Sequence, residues 1–132
     1  MAGRREGGGP LDRRHLGVEA FEPVAPVDGE FVVRKRAVSA FAGTELDRLL
    51  QVRDVATIVL AGGITNFAVE GTARDASDRG YRVIVLEDCC ETVSESWQAF
   101  AMTQILPLLR PCPVRLLDRV RQSLRCARDG RT

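Results

Sequence analysis

Two short runs constrain this chain more than any other feature. Ala56-Thr57-Ile58-Val59-Leu60 and Val83-Ile84-Val85-Leu86 are apolar at nearly every position instead of alternating with polar residues. A strand with one wet face alternates; an unbroken β-branched run fits a strand covered on both faces, as in a parallel sheet layered with helices. Between the runs, from about Thr65 to Arg79, the pattern is helical, and Gly80 offers a C-cap. Strand, helix, strand is the βαβ unit, whose crossover is right-handed. The expected class is α/β: a parallel sheet between two layers of helices.

The flanking segments extend this pattern. Phe31-Val32-Val33 is a further β-branched run, expected to be a strand that ends at Arg34-Lys35-Arg36. Ser39 to Gly43 reads as a loop. Thr44 reads as an N-cap, with Asp47 three residues on in the place of a capping-box acid. Leu46, Leu49 and Leu50 follow at helical spacing and would face the core. Thr92 and Glu95 have capping-box spacing for a later helix, with Trp97, Phe100, Ala101 and Ile105 on its apolar side and Pro107 near its end. Pro111 and Pro113 bracket a loop or short edge strand. Residues 114–127 are expected to form an amphipathic helix through Leu116, Leu117, Val120 and Leu124. The expected organisation is an irregular segment over 1–27, with disorder over 1–14, an α/β core over 28–113, and a basic helix and tail over 114–132. The Asp28-Gly29 pair signals a turn in the approach to the core.

Composition narrows the function classes. The chain has 132 residues, 45% of them hydrophobic, enough for one domain with a core. Lys plus Arg number 19 against 18 Asp plus Glu, a balance that gives no argument for a nucleic-acid or membrane partner. Arg4, Arg5, Arg13 and Arg14 cluster near one end, and Arg115, Arg119, Arg121, Arg125, Arg128 and Arg131 near the other. Without interleaved aromatic residues they read as solvated ends. Cys89, Cys90, Cys112 and Cys126 include no C-x-x-C pair, so neither zinc nor redox spacing is present, and reduced thiols in a cytoplasmic protein are expected. Met1 to Pro10 has no apolar stretch of a signal peptide, and no apolar run approaches the ~18 residues that span a bilayer. No metal or other cofactor is implied.

Chemistry is expected at the carboxyl ends of parallel strands. That directs attention to the loops after Val33, Leu60 and Leu86. Lys35, just past the first of these, could hold an anion or tune a neighbouring group, although a lone lysine is more often a surface residue. Ala61-Gly62-Gly63-Ile64-Thr65-Asn66-Phe67-Ala68-Val69 is a strand end, a glycine turn and a helix start. Such a turn aims backbone N–H groups at whatever lies before it, which favours an anion or a developing oxyanion; by itself a Gly-Gly pair is also an ordinary structural break. His15 reads as a free surface imidazole. Cys89 and Cys90 lie near the expected cleft without a visible base and read as small buried thiols. Asp88 reads as a capping or loop-bonding carboxylate.

Taken together, Lys35 followed by Ser39-Ala40-Phe41-Ala42-Gly43-Thr44-Glu45-Leu46, the turn Gly62-Gly63-Ile64-Thr65-Asn66, and Thr72-Ala73-Arg74-Asp75-Ala76, Arg79-Gly80-Tyr81 and Glu87-Asp88 resemble the isochorismatase-like superfamily over roughly residues 28–110. That superfamily includes isochorismatases, nicotinamidases, N-carbamoylsarcosine amidases and related amide or ureido hydrolases. The resemblance implies a six-stranded parallel sheet between helices and, in the amidases, an Asp–Lys–Cys triad. Lys35 would be its lysine, and Ala68 stands at the position of the cysteine. Gly63, Ile64 and Thr65, with a cis peptide mapping to Gly63–Ile64, would form the oxyanion and substrate site together with Phe41.

Two departures follow. Ala68 has no nucleophile, so a thioester cannot form there; isochorismatases, which have glycine at that position and use the Asp as an acid, show that the position need not be cysteine. The first two strands of the family, and the catalytic Asp they carry, have no counterpart; Asp12 and Asp28 sit in no matching context. In the family's sheet order the first strand lies beside the Ile58–Leu60 strand, so its absence would expose a strand edge that invites a partner chain. The expectations are therefore a truncated and catalytically impaired hydrolase of small amide, ureido or enol-ether substrates, or a non-catalytic binding or oligomerising remnant. Homo-oligomers are expected on either reading.

Overall fold

A computed structural model of the chain describes residues 25–109 and 114–128. His15, Asp12, Cys112, Pro111, Pro113 and the expected disorder of residues 1–14 lie outside those residues, as do the side chains of Val120, Leu124 and Cys126. The chain divides into two compact units, residues 1–32 and 33–132.

In the first unit the Asp28-Gly29 signal is realised as a turn. The Glu30 amide donates to the Val27 carbonyl at 3.1 Å, the Glu30 carboxylate accepts from the Val27 amide at 3.0 Å, and Gly29 supplies the positive φ of +89°. Phe31–Val33 does not form the expected strand. One aromatic and two β-branched residues favour extended backbone, but a strand needs a neighbour to take its N–H and C=O groups, and no described strand pairs with them.

The second unit is an α/β arrangement around a parallel sheet of three strands. Helix α1 (Leu46–Val52) precedes β1 (Thr57–Gly63). A single π-helical turn, Thr65–Val69, opens α2 (Glu70–Asp78), and β2 (Arg82–Glu91) returns alongside β1. Helix α3 (Glu95–Phe100), a second π turn (Ala101–Ile105) and a 3-10 turn (Leu106–Leu108) lead toward β3 (Val114–Arg115) and α4 (Leu117–Arg128). The order is β1-β2-β3, both pairings parallel.

Helix α2 and β2 are joined as the sequence suggests. Gly80 closes the helix at φ +88°, its amide on the Ser77 carbonyl at 3.0 Å, and Tyr81 then donates to Ala76 at 3.0 Å. Val83 and Val85 are buried to 1% and 0% exposure. Each such side chain contributes roughly 1.5–3 kcal/mol of transfer free energy. They pack with Phe41, Val69, Ala73, Ala76, Tyr81, Met102 and Leu106, and Leu46, Leu50, Ile58 and Leu60 close over the cluster.

Other expectations are corrected. β1 is not covered on both faces: only Ile58 and Leu60 are half-buried, and Val59 is 46% exposed. Among the described residues β1 has β2 on one side and no strand on the other, so it is an edge strand. The α1 cap falls on Glu45 without a side-chain bond; Thr44 still accepts from the Leu46 amide at 3.3 Å while donating to the Ala40 carbonyl at 2.6 Å. Asp47 is drawn away from the helix end to Tyr81 and Arg79. Ser94, not Thr92, caps α3 by accepting from the Trp97 amide, and Thr92 bonds Asn66 instead. Trp97 and Phe100 are 53% and 58% exposed, and burial on this segment passes to Ala101, Met102 and Leu106. The π turn that follows α3 rotates these later residues inward.

Candidate functional site

The site is organised by the turn between β1 and α2. β1 and β2 pair in step from Thr57 with Arg82 to Leu60 with Val85; β1 then advances only to Gly62 while β2 advances to Cys90. The extra β2 residues bulge, a device that re-aims side chains next to sites. Gly62 takes φ +125°, which only glycine adopts readily, and a cis peptide joins Gly63 to Ile64. The chain leaves the sheet at Ile64 and enters the helix at Thr65.

The Ile64 carbonyl governs the first turn. It accepts from Phe67 at 3.2 Å, Ala68 at 2.9 Å and Val69 at 3.2 Å. The bond from Val69 spans five residues and widens the turn into a π-helix, an opening found often at functional sites. The Ala68 amide is therefore engaged by Ile64. The Thr65 and Asn66 amides stand first in the helix, where backbone donors have no intrahelical acceptor.

Polar side chains gather here. Thr65 is fully buried and its Oγ1 has no hydrogen-bond partner. Asn66 accepts from Thr92 Oγ1 at 2.5 Å, which ties the turn to the end of β2. Gln98 of α3 donates to the Cys90 carbonyl at 3.1 Å, and its own Oε1 is buried without a partner. Ile64 is 43% exposed, and Ala68 is half-buried.

The neighbouring thiols, Cys89 and Cys90, are shifted toward their protonated form. Burial, then the charge and hydrogen bond of Asp88, push the Cys89 thiol above its usual range. Burial also raises Cys90, although a hydrogen bond from the Gly62 backbone opposes this. The thiolate is the nucleophilic form, so both cysteines are less reactive at neutral pH than an unperturbed thiol. Asp88 is a loop-bonding carboxylate: it accepts from the Leu117 amide at 3.0 and 3.2 Å and so caps α4.

Lys35 lies in the segment that leads to α1. Its ammonium donates to the Ala37 carbonyl at 2.9 Å and the Val38 carbonyl at 3.2 Å, and the side chain remains exposed. The residues that follow lie on α2, immediately beyond the Ala68 turn: Ser39 donates to Asp75 at 2.7 Å, and the Ala40 amide donates to Thr72 Oγ1 at 3.0 Å. One signal for Lys35 is visible in the sequence and is stronger than its position alone: of 19 basic residues it is the single lysine.

Phe41 lies in the core cluster. It is 3% exposed, stacked on Tyr81 with ring centroids 5.7 Å apart, and Arg79 lies over its ring at 5.0 Å. An aromatic ring covered in this way packs the core. An open depression lined by Ala56, Thr57, Gly80 and Arg82 lies at the amino ends of β1 and β2, away from the turn. Among the described residues no group of three or more His, Cys, Asp or Glu side chains could hold a metal ion, and no helix is long and apolar enough to cross a membrane.

Comparison with known proteins matches residues 2–112 to the isochorismatase domain. The chain belongs to the isochorismatase family. This isochorismatase-family chain is 42% identical over 80 residues to the family protein YwoC of Bacillus subtilis, covering 61% of the chain and 42% of YwoC. It is 44% identical over 68 residues to a maleamate amidohydrolase of Pseudomonas putida, covering 52% of the chain and 32% of that enzyme. The structure of an isochorismatase-like hydrolase from Alkaliphilus metalliredigens superposes with a TM-score of 0.75 at 32% identity, over 79% of this chain and 56% of that one. The chain thus spans half or less of the length of the curated relatives it matches.

Proposed function

We propose that this chain carries the anion- and oxyanion-binding turn of an isochorismatase-family hydrolase for small planar amide, ureido or enol-ether substrates, and that Ala68 leaves it impaired in cysteine-type amide hydrolysis. The observation that carries this reading is the Gly62–Ala68 turn. A glycine at φ +125° ends β1, and the chain passes from the sheet into a helix start at the carboxyl ends of β1 and β2. Substrate carbonyl or carboxylate oxygen would take the amides of Gly63, Ile64 and Thr65 and the unpartnered Thr65 hydroxyl. Lys35, whose following residues Ser39 and Ala40 bond to α2, would supply the positive charge. The likeness to a maleamate amidohydrolase supports an amide as the substrate class.

The test is hydrolysis of maleamate, nicotinamide and a ureido amide by the full chain and by Ala68→Cys. Activity gained only in the variant supports a working scaffold that lacks its nucleophile. Robust amide hydrolysis by the unsubstituted chain overturns the assignment for Ala68. No binding of any of these amides to either protein overturns the site.

The open edge of β1 favours a second reading, a module that assembles with copies of itself. Thr57–Gly63 contains no charge and no proline, the features that normally blunt a strand edge. We place the chain in the cytoplasm as a homo-oligomer on that ground and on the free thiols of Cys89 and Cys90. Light scattering on the chain and on Val59→Lys tests the assembly; a monomer in both refutes it.

A further inference from the structure

We propose that Asp75 is a positioning residue for Lys35, holding the segment that carries the ammonium on the same helix whose first turn contains Ala68. Four consecutive residues make the attachment. The carbonyls of Ala37 and Val38 receive Lys35 Nζ at 2.9 and 3.2 Å. Val38 also lies on Gly71, so close that an added Cβ there would come within 2.7 Å of its Cγ1. Ser39 donates to Asp75 Oδ2 at 2.7 Å and accepts from the Phe41 amide at 3.1 Å. The Ala40 amide donates to Thr72 Oγ1 at 3.0 Å.

Gly71, Thr72 and Asp75 form one face of α2, because residues four apart lie one above the other on a helix. Asp75 in turn is held by Arg79 Nε at 2.7 Å, and Arg79 Nη1 reaches Asp47 of α1 at 2.9 Å. Asp75 thus binds both the Lys35 segment and this bracing arginine. The consequence for catalysis rests on the reading of Lys35 given above; the attachment itself does not.

The experiment uses the single lysine. Acylation of the full chain with an acetyl N-hydroxysuccinimide ester, followed by peptide mass spectrometry, reads Lys35 directly, with the N-terminal amine as an internal reference. Ser39→Ala and Asp75→Ala are expected to raise the Lys35 rate relative to that reference by about five-fold, the weight of one net hydrogen bond. Ser39→Thr, which keeps the hydroxyl, is expected to restore the original rate, a rescue that nonspecific loosening would not give. Should Asp75→Ala fail to fold, Ser39→Ala decides alone. Unchanged Lys35 acylation in folded Ser39→Ala, or equal rates in Ser39→Ala and Ser39→Thr, overturns the proposal. A response in Lys35 reactivity without hydrolysis of any amide leaves the attachment standing and removes only the catalytic reading.

Discussion

Tyr81 donates its hydroxyl to Asp47 Oδ1 at 2.7 Å, and the other oxygen of that carboxylate accepts from Arg79 at 2.9 Å. A residue at the mouth of β2 thereby holds the helix that precedes β1, across 34 positions of sequence. Tyr81 keeps its ring in the core against Phe41 and sends only its oxygen outward, the division of labour suited to a tyrosine at a core boundary.

Removing the oxygen alone should be measurable. Tyr81→Phe keeps the stack on Phe41 and loses the hydrogen bond, an expected cost of about 1 kcal/mol. Tyr81→Ala also opens a cavity and should cost about 3–5 kcal/mol, the range for deleting a buried aromatic ring. Urea denaturation of the three proteins measures both.

The same residue sets an alkaline limit. The hydrogen bond to Asp47, then burial and the Asp47 charge, raise the Tyr81 pKa above its ordinary value of 10.0. A group whose pKa is raised on folding contributes stability that is fully present below its unfolded value and is lost as pH rises through its folded value. Stability should therefore begin to fall above about pH 10, and Tyr81→Phe should remove that component. Tyr81 is the only tyrosine, so tyrosinate absorbance follows it without overlap from another ring.

Asp75 sets the opposite limit. Burial alone would raise its pKa, but the hydrogen bonds from Ser39 and Arg79 and the charge of Arg79 outweigh burial and hold it below 3.8. Its contribution is present above that unfolded value and is lost as pH falls through the lower folded value. Acid titration of stability, compared between the chain and Asp75→Asn, should show a shallower acid dependence in the variant below about pH 4.

Gly71 is expected to resist substitution even though it sits inside a helix. Alanine there gains up to about 1 kcal/mol of helix propensity but forces a methyl against Val38 Cγ1 at 2.7 Å. Overpacking of this kind costs about 1–3 kcal/mol. Gly71→Ala should be net destabilising in thermal unfolding, and Val38→Ala in the same chain should recover stability, because the second change removes the clashing atom.

The thiols offer a kinetic check. Cys89 and Cys90 both titrate above 9.0, with burial the first cause in each case. Iodoacetamide should alkylate them slowly at neutral pH and faster as pH rises through 9 and above, measured by peptide mass spectrometry. Fast alkylation at pH 7 would identify an activated thiol beside the turn.

The sequence determined a good deal without coordinates. Val83 and Val85 in an unbroken β-branched run had to lie in a buried strand, Gly80 had to end a helix, and the Gly62-Gly63 pair had to end a strand. Each of these follows from local sterics and from the cost of wetting an apolar run. The family resemblance placed Ala68 at the helix start, where the structure has it. Tertiary contact decided the rest. Phe31–Val33 carries strand residues but joins none of the described strands, so it is not a strand. Ala56 to Leu60 reads as a strand covered on both faces, yet Val59 is exposed, because burial depends on what stands against a strand and not on its own composition; among the described residues its edge is open, as the resemblance implies. Thr92 and Asp47 have capping spacing, yet Asn66 and Tyr81 compete successfully for them from distant points of the chain. Phe41 fits a site motif and is consumed by packing against Tyr81. Local sequence fixes what each backbone segment prefers; which partner satisfies each polar group, and which face of a strand meets water, is settled only when distant segments compete for the same space.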